Sequence, residues 1–335
     1  MANLVSDLNE LESRLGLSPP QATPVVASIS PTVLETLASP SFIYFDDLTV
    51  PTGGFTRVYA FGDSLSDAGN VYTATLGQVP SAPYSDGRFS NGNVWVQDLA
   101  QNVGLPPLQP SLKGGADYSY GAGQTGTTAV HTQNPIDLPS QLAQFELNTS
   151  NPPPAALYTI WAGSYDVVTI ANSTETSTQQ AATVQQAVNN EVQVIDGLIA
   201  HGAKDLVVMG VPDLGVTPYE RARPASDAAS STLAQDYNAD LGAALRQIVA
   251  SGAASIDYVN TYALLDAAVA NPAAYGFSNV TQPVWTGGLT PGSGGTLNAI
   301  GTAQNGYLFF DDLHPTAEGH ALLAAVVTNS LTGTA

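Results

Sequence analysis

The stretch Val58-Tyr59-Ala60-Phe61-Gly62-Asp63-Ser64-Leu65-Ser66-Asp67 decides the fold. An apolar run reads as a buried strand, and it passes without a linker into small and polar residues. In an open parallel sheet, ligands bind outside the carboxyl ends of the strands, so Ser64 is placed at the rim of a functional crevice.

Working outward, three more short apolar runs follow: Leu157 to Trp161, Leu206 to Val211 and Ile256 to Val259. Between and after them lie helical stretches at Gln179 to Ala200, Ala228 to Ala250, Tyr262 to Ala270 and Thr316 to Leu331. Strands separated by helices predict βαβ units and a mostly parallel sheet covered on both faces, hence one doubly wound α/β domain. Thr286 to Thr302, rich in Gly, Thr and Ser, reads as a surface loop. Upstream, Leu4, Leu8, Leu11 and Leu15 recur at helical spacing and predict a short amphipathic helix, stopped by Gly16, Pro19 and Pro20. The chain from there to Gly54 is rich in Pro, Ser and Thr. Residues 1–54 are therefore set apart as an N-terminal extension from a main domain over 55–335.

With 335 residues the chain can bury a large core. Its 8 basic and 28 acidic residues give a net charge of -20, which repels nucleic acid and anionic membranes. The acidity fits solubility in an acidic or extracellular setting. No apolar run approaches the ~20 residues of a bilayer span. No signal peptide opens the sequence, so the expectation is a secreted protein whose leader is absent from this chain, with a cytoplasmic protein as the alternative. The absence of Cys excludes disulfides and a thiolate nucleophile.

A serine hydroxyl becomes a useful nucleophile only when a base takes its proton, and histidine is the usual base near neutral pH. Of His131, His201, His314 and His320, only His314 has a helper at close spacing: in Phe309-Phe310-Asp311-Asp312-Leu313-His314-Pro315-Thr316, Asp311 lies three residues before it. A single turn of chain can fold that carboxylate onto the imidazole, fixing its tautomer. Either motif alone has an ordinary explanation, a helix cap or a surface turn.

Taken together, they resemble the GDSL (SGNH) family of esterases and lipases. The resemblance spans about residues 57–331, carried by FGDSLSDAGN at 61–70 and DDLHPT at 311–316. GRFSNGNVWV at 87–96, VPDLGVTP at 211–218 and NPAAYGF at 271–277 support it. It implies a three-layer α/β/α sandwich, flavodoxin-like, with a mostly parallel sheet of five-stranded type. It also implies Ser64 as nucleophile, His314 as base, Asp311 as its orienter, no required cofactor, and a small-molecule or lipid ester as substrate.

The resemblance further implies an oxyanion hole built from the Ser64 amide and a glycine amide in DYSYGAGQTG at 117–126, carried to Gly121 with Gly123 as rival. The third donor departs from the pattern. Relatives read Gly-x-Asn-Asp, whereas this chain has Gly163-Ser164-Tyr165-Asp166. Loss of such a donor costs about 10²- to 10³-fold in rate. The Tyr165 phenol can donate in its place; Ser164 or Asn172 can take over; or the chain is a weakened or non-catalytic ligand-binding protein of the same fold.

Other signals read more simply. Gly121 to Gly126 matches G-x-G-x-x-G with Glu146 downstream, but Pro135 and Pro139 follow it rather than a helix start. Asp311, Asp312, His314, Glu318 and His320 lack the His spacing of a metal site, so no metal is expected. Asp67 and Asn70 read as capping and turn residues.

Overall fold

A computed structural model of the protein describes residues 50–126, 136–223 and 226–332, together with Val33, 42–46 and Leu48. The amphipathic helix predicted at 3–15 and His131 lie outside these residues.

Five strands form one sheet: β1 Ile43–Asp46, β2 Arg57–Gly62, β3 Ala156–Trp161, β4 Asp205–Met209 and β5 Ser255–Val259. Their order is β1-β5-β4-β3-β2. Strands β2 to β5 are parallel, and β1 pairs antiparallel with β5. The parallel part thus has four strands rather than five, and the fifth position is filled by β1 from the segment set apart as an extension. Phe42 and Leu48 are buried in the same core as Val259, and the Leu48 N–H donates to Asp257 Oδ1 at 3.1 Å. The edge of β5 is covered rather than left as an open ladder.

Helices α1 Trp95–Asn102, α2 Leu138–Asn148, α3 Ser164–Ala171, α4 Ser177–Ala200, α5 Asp227–Ser251, α6 Thr261–Ala270 and α7 Ala317–Thr332 cover the sheet. Strand side chains alternate between its two faces. Val58, Ala60, Leu157, Val207 and Met209 join one core with α1, α6 and α7. Tyr59, Phe61, Tyr158, Ile160, Leu206 and Val208 join the other with α2 to α5. The expected three-layer α/β/α sandwich is what forms.

All four predicted strands and the four helices predicted within 55–335 are present. Helices α1, α2 and α3, of 8, 11 and 8 residues, are short and lie outside the sequence expectation. Pro139, read as incompatible with a helix start, sits in the first turn of α2, where a missing N–H costs nothing. Two glycines allow the site to be built. At Gly62, ending β2 with φ 143°, a Cβ would lie 2.0 Å from the Trp161 carbonyl oxygen, so only glycine lets these two strands end side by side. Gly163, with φ 88°, starts α3 directly off β3.

Candidate active site

Strand β2 delivers Ser64 to the carboxyl edge of the sheet. The chain turns tightly there: the Asp63 carbonyl accepts from the N–H groups of Ser66 and Asp67, and Asp63 Oδ1 accepts from Leu65 N–H at 2.9 Å. Between Val58 and Asn70 every residue is buried except Ser64, which is partly exposed. The Ser64 N–H donates to no other described group.

His314 arrives from the loop before α7. Its Nε2 lies 2.8 Å from Ser64 Oγ and its Nδ1 2.7 Å from Asp311 Oδ2. Because the carboxylate can only accept, Nδ1 carries the proton and Nε2 accepts the serine O–H. Asp311 is held in turn: its Oδ1 accepts from the backbone N–H groups of Leu313 at 2.9 Å and His314 at 2.6 Å, and its Oδ2 also accepts from the Tyr84 hydroxyl at 2.6 Å. The Phe89 ring packs at 5.3 Å from the His314 ring. Sequence reasoning missed Tyr84, which lies 227 residues from Asp311 and carries no local signal.

The electrostatics agree with this geometry. Burial works against a charged His314, but the charge and hydrogen bond of Asp311, with the charges of Asp63 and Asp312, together outweigh it and raise the imidazole above its ordinary value. Burial likewise works to raise Asp311, and the His314 charge together with its hydrogen bonds reverses the sign and lowers it. Asp63, also near His314, is raised to about 7 by burial, offset in part by the Leu65 N–H and by His314. Its Oδ2 is buried without a hydrogen-bond partner.

The glycine amides assigned to the oxyanion are engaged. Gly121 N–H donates to Asp67 Oδ2 at 2.9 Å, and Gly123 N–H donates to the Tyr120 carbonyl at 2.9 Å. The residue between them is different. Ala122 has φ 65°, a left-handed conformation rare for a residue with a Cβ, and its N–H donates to no other described group. Asp67 also accepts from Gly69, Asn70 and Val71, so it caps the one-turn helix Asn70–Ala74 and ties it to the Gly121 loop.

Helix α3 brings Ser164 and Tyr165 to the same cavity as Ser64 and His314. Tyr165 is 39% exposed. Ser164 is 7% exposed, and its hydroxyl has no hydrogen-bond partner. Asp166 is structural: it accepts from the backbone and hydroxyl of Thr125. Asn172 is engaged as well, donating to the Val168 carbonyl and to Glu220. His320 is buried behind the site, lowered to about 3 by burial and then by His314, and accepts from the Trp95 N–H. No group of three or more His, Asp or Glu able to hold a metal occurs among the described residues. None of the described helices is long and apolar enough to cross a membrane.

A serine hydroxyl, a neutral imidazole and a fixed carboxylate in hydrogen-bonded series can move one proton while the serine oxygen forms a bond to carbon. The family model for GDSL-like lipase/acylhydrolase matches residues 58–327, four fifths of the chain. The chain belongs to this family. As a GDSL-like lipase/acylhydrolase it is a carboxylic ester hydrolase, the class its sequence predicted. Among curated relatives, it is 27% identical over 308 residues to a phosphatidylcholine-sterol acyltransferase of Aeromonas hydrophila, covering 81% of this chain and 88% of that one. It is 26% identical over 331 residues to a GDSL esterase/lipase of Arabidopsis thaliana, covering 85% and 89%. A third relative, at 24% over 322 residues and covering 89% and 77%, is named an inactive GDSL esterase/lipase-like protein, also of Arabidopsis thaliana.

Proposed function

We propose that this GDSL-like lipase/acylhydrolase cleaves carboxylic esters through an acyl-serine intermediate. The observation carrying the proposal is the unbroken series from Ser64 Oγ to His314 Nε2, 2.8 Å, and from His314 Nδ1 to Asp311 Oδ2, 2.7 Å. Ser64 Oγ bonds to the ester carbonyl carbon as its proton passes to His314 Nε2, and the carbonyl oxygen takes the negative charge. The carbonyl re-forms, the alcohol oxygen leaves, and His314 returns the proton to it. Water, deprotonated by the same imidazole, then attacks the acyl-serine and releases the acid. An alcohol in place of that water makes the same site an acyltransferase, the activity named for the Aeromonas hydrophila relative.

The oxyanion donors are assigned as the Ser64 amide, the Ala122 amide and the Ser164 hydroxyl. Ala122 replaces the glycine assignment because its neighbours' amides already have acceptors. Ser164 is preferred to Tyr165 for the third donor. A buried hydroxyl without a partner costs about 1–3 kcal/mol, whereas a phenol 39% exposed can donate to water. A developing oxyanion supplies the acceptor Ser164 lacks, so the bond strengthens as the barrier is crossed.

The experiment is labelling with a fluorophosphonate, which reacts at an activated serine. Wild type is expected to be labelled at Ser64, and both Ser64→Ala and His314→Ala to be silent; a folded wild type that takes no label supports the non-catalytic reading instead. On an activated ester, Ser164→Ala is expected to lower kcat about 10²-fold with KM little changed, and Tyr165→Phe to stay within about three-fold of wild type. The reverse ranking returns the role to the phenol.

A further inference from the structure

The cavity that opens at Ser64 and His314 does not stop at the catalytic groups. It continues between α6 and α7, where Leu264, Leu265 and Ala268 of one helix and Leu322 and Leu323 of the other line it together with Leu308. Its atom-free space is about 790 Å³, open mouth included. On α6 the lining positions Thr261, Leu264, Leu265 and Ala268 fall at i, i+3, i+4 and i+7, and on α7 Gly319, Leu322 and Leu323 fall at i, i+3 and i+4. Each helix turns one stripe toward the gap. Closely packed interiors leave few such gaps, and an apolar one is a poor site for water.

The polar side chains that line the path away from Ser64 and α3, Thr261 and Thr217, already have partners. Thr261 Oγ1 donates to the Gly210 carbonyl and Thr217 Oγ1 donates to the Leu214 carbonyl at 2.6 Å. Neither hydroxyl requires a partner from the substrate, so the channel beyond Ser64 has little to recognise a sugar ring and much to recognise hydrocarbon. Thr261 follows β5 at the catalytic edge of the sheet, and Ala268 lies seven residues further along α6. That separation is about 10 Å, roughly the length of an extended eight-carbon acyl chain.

We propose that the gap between α6 and α7 is an acyl-binding channel for medium-length fatty acyl groups, with Ala268 at its distal end limiting the length accepted. The proposal rests on Ser64 being the acylated residue, since it places the acyl carbonyl at the channel mouth. Burying a methylene is worth about four-fold in an affinity or a rate constant ratio, so chain length becomes readable in kcat/KM.

The test is a series of p-nitrophenyl esters from acetyl to palmitoyl, run on wild type, Ala268→Leu and Leu323→Ala, with fluorophosphonate labelling of Ser64 as a control on each protein. Wild type is expected to peak near octanoyl, at least ten-fold above acetyl. Ala268→Leu fills the distal end and should lower the octanoyl-to-acetyl ratio of kcat/KM at least ten-fold. Leu323→Ala enlarges the channel and should move the optimum to longer chains, which keeps the test decisive if Ala268→Leu does not fold. A wild-type optimum at acetyl, or variants that lower every ester equally while still being labelled, overturns the channel. Absence of label on folded wild type instead overturns the esterase reading beneath it.

Discussion

Asp311 accepts four hydrogen bonds, from Tyr84, the His314 ring and two backbone N–H groups, so its carboxylate is fixed from every side. The Tyr84 hydroxyl shares Oδ2 with the imidazole. Removing it in Tyr84→Phe takes a charge-assisted bond from the orienting group and is expected to lower kcat/KM about ten-fold on an activated ester. An unchanged rate would show that three donors suffice. The protonation state of His314 is open to the same kind of test. Catalysis needs a neutral Nε2, and the Asp311 carboxylate raises this imidazole, so kcat/KM should rise with pH along a limb centred above the ordinary histidine value. Asp63 also faces His314 and favours its charged form. Asp63→Asn should move that limb to lower pH, and a limb that stays in place would remove Asp63 from the electrostatics of the site.

At the scale of elements, the site depends on where helices can start. Gly163 turns the chain from β3 into α3 with φ 88°, and a Cβ there would lie 2.5 Å from the ring of buried Tyr237 on α5. Tyr237 cannot yield easily, because its hydroxyl is bonded to buried Glu191 of α4 at 2.5 Å. Gly163→Ala therefore combines left-handed strain with overlap. It should destabilise the protein by about 2 kcal/mol or more and displace Ser164 and Tyr165. Thermal melting together with ester hydrolysis checks this: a variant with the melting temperature and kcat of wild type would mean α3 starts without help from this glycine. The loop carrying Gly121, Ala122 and Gly123 is positioned by acids on two other elements, Asp67 after β2 and Asp166 of α3, the latter through Thr125. Both acids are structural, although they flank catalytic positions in the chain.

Across the whole molecule the acidic balance has a sign that can be measured. Burial raises Asp63 to about 7, Asp67, Asp98 and Asp166 to about 6, and Glu191 to about 8. A group raised on folding holds more protons in the native state than in the unfolded one. Its contribution is complete below the unfolded value and is lost as pH rises through the folded one. His314, also raised, acts in the same direction; Asp311, lowered, acts oppositely and only as pH falls below the usual carboxylate range. Protonation also relieves self-repulsion in a chain of net charge -20. The melting temperature should therefore rise by several degrees from pH 8 to about pH 5 and fall below about pH 4, as scanning calorimetry at constant ionic strength can show. A flat or rising profile between pH 5 and 8 would mean these carboxyls titrate normally in the folded protein.

The sequence by itself determined the α/β layering, the four parallel strands and the long helices, and it singled out Ser64, Asp311 and His314, which the structure joins in one hydrogen-bonded series. The elements rest on local pattern, apolar runs of strand length and helical periodicity; the three residues rest on an acid three residues from a histidine together with the resemblance to the GDSL family. Tertiary structure alone decided that the Gly121 and Gly123 amides already have acceptors, that Tyr84 completes the support of Asp311, that Ser164 rather than Tyr165 is buried without a partner, and that β1 closes the sheet edge. Such facts depend on groups far apart in the chain meeting in space. A hydrogen bond already made to a distant residue leaves no mark on the sequence that makes it.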